Sequence, residues 1–165
     1  MRKFIVYPLI VLAGVFVGLW LGNGSVWTLV YGPPDLGRAD YAQAARPSNQ
    51  FVACAGSDAG CTAPDLTLTI HPASPESVLA VVGEAARGAE RVDDGSDPLH
   101  RRYVARSAAF RFPDTIDVTA LPTNGGTALR VSSRSQIGES DFGVNERRVR
   151  DWLARAGIRP ASPAG

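Results

Sequence analysis

The sequence predicts an α+β domain, an antiparallel sheet with helices packed on one face, preceded by one N-terminal transmembrane helix. Three observations lead to this prediction. An uncharged apolar stretch opens the 165-residue chain. A strand, a helix, several strands joined by tight turns and a second helix follow it. The part after the apolar stretch has the length of one domain of ordinary size.

The N-terminal stretch predicts a membrane anchor. Residues 4–21 carry no charge and follow the basic pair Arg2 and Lys3. As a helix they span roughly 27 Å, close to the thickness of a bilayer's hydrocarbon core. The apolar character continues to residue 30, so we assign residues 4–30 to the lipid bilayer and its interface. The positive charges place residues 1–3 in the cytoplasm, and the remainder of the chain is then exported.

A cleaved signal peptide is the alternative interpretation of this stretch. The apolar run is longer than the roughly 7–15 residues of such a peptide, and no small-x-small cleavage site follows it closely. Charge is nearly balanced, with 17 basic and 16 acidic residues. Without Arg2 and Lys3 the exported part has a net charge of −1. Because nucleic-acid-binding domains usually carry a basic excess, we expect no nucleic-acid partner.

Residues 31–65 are predicted to form a connector with little periodicity, because turn-forming residues recur along it. It contains Cys54 and Cys61. Two cysteines are too few for a disulfide-built scaffold. Outside the cytoplasm a nearby pair nevertheless predicts a disulfide, and closing a loop of about eight residues restricts the unfolded chain by roughly 2.5 kcal/mol.

Three alternatives stay open for the cysteines. They can be free thiols, or they can bind a metal together with His71 and His100. Six residues between two cysteines are unusual for a zinc site, so no metal site is predicted. Residues 52–54 also resemble a lipoprotein processing site, but they lie more than thirty residues beyond the apolar run.

The domain proper is assigned to residues 66–157. Residues 66–70 alternate apolar and β-branched side chains, as a half-buried strand does. The sequence from Ser74 through Pro75 is typical of a helix start, and Gly88 marks its end.

Three further strands follow. Residues 99–107 predict a strand with one wet face, because Arg101 and Arg102 lie within it. Residues 115–121 and 127–133 alternate more cleanly, and the glycine-containing turn between them predicts a hairpin.

Apolar residues at helical spacing from Val149 to Ala156 predict the last helix, which ends near Gly157. We interpret residues 158–165, which are rich in proline and alanine, as a disordered tail.

Two polar stretches form the most distinctive pattern of the chain. Residues 106–114 are R-S-A-A-F-R-F-P-D, and residues 133–148 are S-R-S-Q-I-G-E-S-D-F-G-V-N-E-R-R. Both strongly resemble domain of unknown function family 1499, with its R-S-x-x-F-x-F-x-D and S-R-S-x-x-G-x-S-D-x-G-V-N-x-x-R stretches. The resemblance covers about residues 31–155. The Gly-Pro-Pro-Asp-Leu-Gly sequence after the apolar stretch is similar to the proteobacterial, membrane-anchored branch.

The resemblance implies a membrane-tethered exported domain and supplies no activity. We expect the chain in the bacterial inner membrane, with its C-terminal domain in the periplasm and an envelope protein or lipid as a possible partner. Two positions depart from the family pattern. Gln136 replaces a common arginine, and Glu139 replaces a frequent aromatic residue. A ligand site built on these positions would be altered in this chain.

The polar stretches allow a structural interpretation. Ser140 or Asp141 can cap the last helix by accepting hydrogen bonds from its free N–H groups. The arginines near the start of that helix need carboxylate partners, because positive charge there opposes the helix dipole. The candidate pairs join Arg147, Arg148 and Arg150 to Asp114, Asp117 and Asp141.

The alternative is a site for a small anion or a lipid headgroup, held by guanidinium groups. The candidate ligand-binding residues are Arg106, Asp114, Ser133, Arg134, Ser135, Asp141, Asn145 and Arg148. No nucleophile elbow, H-E-x-x-H motif or phosphate loop is present, so we predict no catalytic residue and no cofactor. The favoured prediction is a binding or structural module. A receptor or an enzyme using the Arg/Ser/Asp cluster is the alternative, and it requires these side chains to converge on an open pocket.

Overall fold

The computed structural model describes residues 2–22, 24–43, 45–55 and 59–162, with side chains from Val6 onward. Over these residues the chain forms four helices and one six-stranded sheet. The elements are α1 (Arg2–Leu21), α2 (Ser25–Tyr31), β1 (Gln50–Ala55), β2 (Leu66–Leu68), α3 (Pro75–Ala85), β3 (Glu90–Arg91), β4 (His100–Arg106), β5 (Pro113–Thr123), β6 (Gly126–Ser135) and α4 (Val144–Arg155).

The six strands lie in the order β2-β1-β6-β5-β4-β3. The long hairpin of β5 and β6 lies at the centre and pairs Asp114 with Ser135 and Ile116 with Ser133. The α+β class is therefore confirmed. All described neighbours are antiparallel except β1 and β2, which run parallel and pair Ala53 with Leu66. The purely antiparallel sheet predicted from the sequence is wrong at this edge, because the chain after β1 turns back and enters β2 opposite Ala53, in the same direction as β1.

Helices α3 and α4 pack against the same face of the sheet, as predicted. Each presents an apolar stripe to the strands, and Trp152 of α4 meets the ring of Tyr103 on β4 edge-on at 5.6 Å. The buried cluster includes Val78, Leu79, Val82, Ile116, Val118, Ala120, Leu129, Val131, Val149 and Leu153. Burial of this apolar surface is the main stabilising contribution to the domain.

The opposite face of the sheet is covered by residues 34–41. The hydroxyl of Thr115 donates to one backbone carbonyl of this segment at 2.9 Å and accepts from a backbone N–H at 3.0 Å. The hydroxyl of Tyr41 donates to Oδ1 of Asp117 at 2.7 Å, and Oδ2 of the same carboxylate lies 2.6 Å from Nε2 of His100. The polar residues of β5 are thus buried and hydrogen-bonded.

Strand β4 has no fully wet face. Arg102 forms a bidentate ion pair with Asp35, at distances of 2.8–3.1 Å, and both side chains are mostly buried. The sequence predicted that Arg101 and Arg102 leave one face of this strand exposed to solvent. This prediction is wrong at Arg102, because Asp35, in the segment before the sheet, pairs with its guanidinium group and covers it.

Strand β1 falls within residues 31–65, which the sequence analysis interprets as a connector. Five consecutive residues of β1, from Phe51 to Ala55, are buried. A strand covered on both faces lacks the alternation of apolar and polar residues that identifies a half-buried strand. The hydrophobic pattern of residues 50–55 therefore did not indicate a strand. The two-residue strand β3 is also absent from the prediction.

Residues 158–162 pack against the edge strand β2. Ile158 is buried, the N–H of Ala161 donates to the carbonyl of Thr67 at 2.8 Å, and the N–H of Thr69 donates to the carbonyl of Arg159 at 3.1 Å. Partners on this chain segment satisfy the free backbone groups of the sheet edge. The predicted disorder is wrong for residues 158–161, and residues 163–165 lie outside the described residues.

Helices α1 and α2 meet at a sharp bend. No described helix alone has both the length and the apolar composition needed to cross a bilayer, whereas Val6–Leu21 and Ser25–Tyr31 meet both requirements as a pair bent by 94°. Met1, Asn23 and the side chains of the predicted basic pair lie outside the described residues.

Tyr41 predicts how stability depends on pH. Burial, followed by the charge of Asp117, raises the pKa of the Tyr41 hydroxyl well above its ordinary value. A raised folded-state pKa gives stability that is present below pH ~10, where the unfolded tyrosine is still protonated, and is lost as pH rises further. We expect Tyr41→Phe to cost about 1–2 kcal/mol at pH 7.

The advantage of the wild type over Tyr41→Phe should then shrink by about 1.4 kcal/mol per pH unit above pH ~10. Urea unfolding of the full chain in nonionic detergent at several pH values measures this difference. Tyr31→Phe, at a half-exposed ring, is the control and should follow the wild type. A difference between the wild type and Tyr41→Phe that stays constant up to pH 11.5 (roughly 1.5 units above the ordinary tyrosine pKa) would contradict the assignment.

Candidate functional site

Five of the predicted ligand-binding residues form a continuous hydrogen-bonded cluster. We call it the motif network: Asp114, Ser133, Ser135, Asn145 and Arg148. Strand β5 supplies the aspartate, β6 the two serines, and α4 the asparagine and the arginine. The network therefore connects the two central strands to the last helix.

The ion pair of Arg148 and Asp114 is the charged part of the network. Nη2 of Arg148 lies 2.6 Å from Oδ2 of Asp114, and the two side chains are 12% and 4% exposed. Nη1 of the same guanidinium donates to Oδ1 of Asn145 at 2.7 Å and to Oγ of Ser133 at 3.2 Å. The sequence analysis included this pair among its candidates. Its hydrogen bonds join two charged groups that are largely removed from water.

Asn145 is the centre of the network and is completely buried. Its Oδ1 accepts from Ser133 Oγ at 2.6 Å as well as from the arginine, and its Nδ2 donates to Ser135 Oγ at 3.0 Å and to the carbonyl of Asn49 at 2.9 Å. Both amide donors and both acceptor directions of the side chain are thus used within the protein. Nδ2 of Asn49 in turn donates to the carbonyl of Gly138 at 2.6 Å, which ties the loop before α4 to β1.

Asp141 caps α4. Its Oδ1 accepts from the N–H of Gly143 at 3.1 Å, and its Oδ2 accepts from the N–H of Asn145 at 2.7 Å. Gly143 has a φ of 73°, a left-handed conformation that favours glycine. Of the two predicted caps, Ser140 instead accepts from the N–H of Phe142 at 3.3 Å, outside the helix. Gly143 is thus the N-cap residue, and Asp141, two residues before it, supplies the acceptor for a free N–H group of the first turn.

Asp141→Ala is expected to destabilise the protein by about 1 kcal/mol, because the N–H groups of Gly143, before the helix, and of Asn145, in its first turn, lose their acceptor. Ser140→Ala is the matched control, one residue away and outside the helix, and should change stability by less than about 0.5 kcal/mol. Urea unfolding of the full chain compares the two. Equal effects of both substitutions would contradict the cap.

Arg134 and Arg106 do not join the motif network. Side chains alternate along β6, so Arg134 lies on the opposite face from its serine neighbours and donates through Nη2 to the carbonyl of Leu36 at 3.3 Å. Arg106 ends β4, and its Nη1 is buried without a hydrogen-bond partner among the described residues. Burial lowers the pKa of Arg106, although Glu90 opposes this shift.

The two positions that depart from the family pattern lie along the same loop. Nε2 of Gln136 donates to the carbonyls of Tyr31 and Pro33, at 3.2 and 2.7 Å. Glu139 participates through its backbone carbonyl, which accepts from Ser48 Oγ. In this chain the hydrogen bonds of Gln136 thus connect the end of β6 to the end of α2 and the segment that follows it.

A cavity of about 470 Å³ borders the start of α4. It is lined by Ser48, Gln50, Phe51, Asp65, Ser140, Asp141, Gly143 and Glu146. Of the predicted ligand-binding residues only Asp141 lines it, and both oxygens of that carboxylate accept backbone N–H groups. The motif network is paired with itself beneath the surface, and this geometry favours its structural interpretation.

The cysteines form the predicted disulfide, with Cα atoms of Cys54 and Cys61 6.5 Å apart. The alternative metal set is not assembled in the described part of the chain. His71 accepts through Nδ1 from the N–H of Ala73, and His100 is engaged by Asp117. No group of three or more potential ligands is found among the described residues.

Sequence reasoning missed Asn49 and Tyr41, which connect residues 34–55 to the sheet. Both lie in a stretch without periodicity, and a single sequence contains no signal that identifies their distant partners. The positions of Asp114 and Arg148 were detected because they belong to the two distinctive polar stretches.

Residues 42–155 match the family described as "Protein of unknown function (DUF1499)". Neither the comparison with curated proteins nor that with solved structures finds a match. The match covers most of the chain, including the whole sheet and the motif network. The chain therefore belongs to the DUF1499 family of proteins of unknown function.

Proposed function

We propose that this protein is a single-pass envelope protein of the bacterial inner membrane, with its N-terminus in the cytoplasm and its domain in the periplasm. The observation that carries the proposal is the exposure of α1. Eleven large apolar or aromatic side chains between Val6 and Leu21 are 43–84% exposed. A surface of this kind fits burial in lipid, where apolar side chains are removed from water.

Two further observations support this location. The basic pair at the start of α1 fits the cytoplasmic end of an inserted helix. The disulfide of Cys54 and Cys61 fits an oxidising compartment such as the periplasm.

We propose further that the domain is a binding or structural module. The motif network uses its polar atoms to join β5, β6 and α4, which leaves Arg148 and Asn145 engaged with protein groups. A small-anion receptor or an enzyme using the same cluster would need these groups to face an open pocket. The geometry therefore supports the structural role of the cluster over this alternative.

Intact mass and membrane extraction test the proposal. We expect the membrane-bound protein to retain its full N-terminal mass and to resist extraction by alkaline carbonate. A C-terminal alkaline phosphatase fusion should be active, since the domain is exported. Loss of the first twenty or more residues, or release into carbonate, would contradict the anchor.

Substitution of Leu12 and Val15 by arginine gives a matched comparison. Two charges near the middle of α1 raise the cost of insertion by roughly 5–7 kcal/mol. This variant should lose membrane retention, whereas Val81→Arg, at an exposed site on α3, should be retained like the wild type.

A further inference from the structure

The loop between β4 and β5, residues 107–112, packs against α2. Nε1 of Trp27 donates to the carbonyl of Phe110 at 2.7 Å, and its ring centroid lies 4.8 Å from that of Phe112. The rings of Phe110 and Phe112 stack on one another at 5.6 Å. The loop is therefore an aromatic cluster attached to the helix that follows the anchor.

The same loop reaches the last turn of α1. The guanidinium carbon of Arg111 lies 5.3 Å from the centroid of the Trp20 ring. At the bend between the helices, a Cβ atom on Gly24 would lie 2.6 Å from the carbonyl oxygen of Arg111. Only a residue without a side chain permits this approach, so the contact between loop and bend depends on the backbone itself.

We propose that residues 107–112 rest on the phospholipid bilayer and hold the domain against the membrane in one orientation. The inference rests on the proposed anchor. Helix α1 has 20 residues and is about 30 Å long, and the inference takes it as the inserted arm of the bent pair that it forms with α2. Trp20 in its last turn then lies at the outer interface, and a loop in contact with Trp20 lies at the same depth.

The chemistry of this surface fits the headgroup region of a bilayer. Phe110 is 52% exposed, and on the neighbouring helix Leu29 and Val30 are 86% and 63% exposed. Aromatic rings are favoured at this depth. Arg106 directly precedes the loop and Arg111 lies within it, and guanidinium groups bind phosphate oxygens well. Nη1 of Arg106 is buried without a hydrogen-bond partner among the described residues.

Site-specific photocrosslinking of the full chain in cell membranes tests the inference. The photoreactive residue p-benzoylphenylalanine replaces Phe110 in the loop. It replaces Leu29 on α2 in a positive control and Val81, 42% exposed on α3, in a negative control. After irradiation, intact mass detects a phospholipid adduct, and carbonate extraction of the same membranes tests the anchor.

We expect phospholipid adducts at positions 110 and 29 and none at position 81. A carbonate-resistant protein with an adduct at 29 but none at 110 would overturn the inference and leave the anchor standing. Equal adduct formation at positions 110 and 81 would overturn it too, because the contact would then not depend on the loop. Release of the protein by carbonate would overturn the anchor and the inference together.

Discussion

Arg148→Ala is expected to destabilise the domain by about 3–5 kcal/mol. The substitution leaves the carboxylate of Asp114, whose side chain is 4% exposed, buried without its positive partner, and breaking a buried pair from one side costs about this much. Oδ1 of Asn145 and Oγ of Ser133 also lose a donor. Urea unfolding of the full chain in nonionic detergent, followed by near-ultraviolet circular dichroism, measures the loss.

Arg155→Ala is the matched control in the same helix. Arg155 pairs with Asp151 one turn earlier, and the two side chains are 46% and 60% exposed. Solvent screens an exposed pair of this kind, so the substitution should cost at most about 1 kcal/mol, including its interaction with the helix dipole. A loss for Arg148→Ala no larger than that of Arg155→Ala would show that the buried pair does not hold α4 to the sheet.

Removal of the disulfide is expected to have the next largest effect. Cys54→Ala combined with Cys61→Ala opens a loop of about eight residues, and the chain-entropy model gives a loss of roughly 2.5 kcal/mol. Alanine is the suitable replacement, because Cys54 is fully buried in β1 and serine would add an unsatisfied hydroxyl.

A reducing agent provides the control for the cysteine variant. Dithiothreitol should destabilise the wild type by a similar amount and leave the double variant unchanged. Two titratable thiols in the untreated protein, or equal stability of wild type and variant, would contradict the disulfide.

Local signals in the sequence were sufficient for most of the fold. The cap at Ser74 is confirmed by its hydrogen bond with the N–H of Ser77, and the hairpin between residues 115 and 133 is confirmed with longer strands. Strand β1 was missed because burial on both faces removes the period of two. The cover formed by residues 34–41 was missed because it depends on single distant contacts, such as Tyr41 with Asp117.

The sequence identified most residues of the motif network, but it indicated only part of their spatial arrangement. Of the candidate ion pairs, that of Arg148 with Asp114 is confirmed. The other candidates are wrong, since Arg150 pairs with Glu146 and Asp117 is engaged by His100. Arg134 was included as an arginine of the second polar stretch, but neighbouring residues of a strand face opposite sides of the sheet, and Arg134 faces away from Ser133 and Ser135. Arg106 was included by motif alone, and it lies at the loop between β4 and β5.

A double-mutant cycle on Asp114 and Arg148 tests most directly whether the motif network holds the fold. The four proteins are the wild type, Asp114→Ala, Arg148→Ala and the double variant, each unfolded as the full chain. We predict that the double variant costs little more than either single one, which corresponds to a coupling free energy of about 3 kcal/mol. Additive, small effects of the two substitutions would contradict this account and favour a ligand as the partner of these residues.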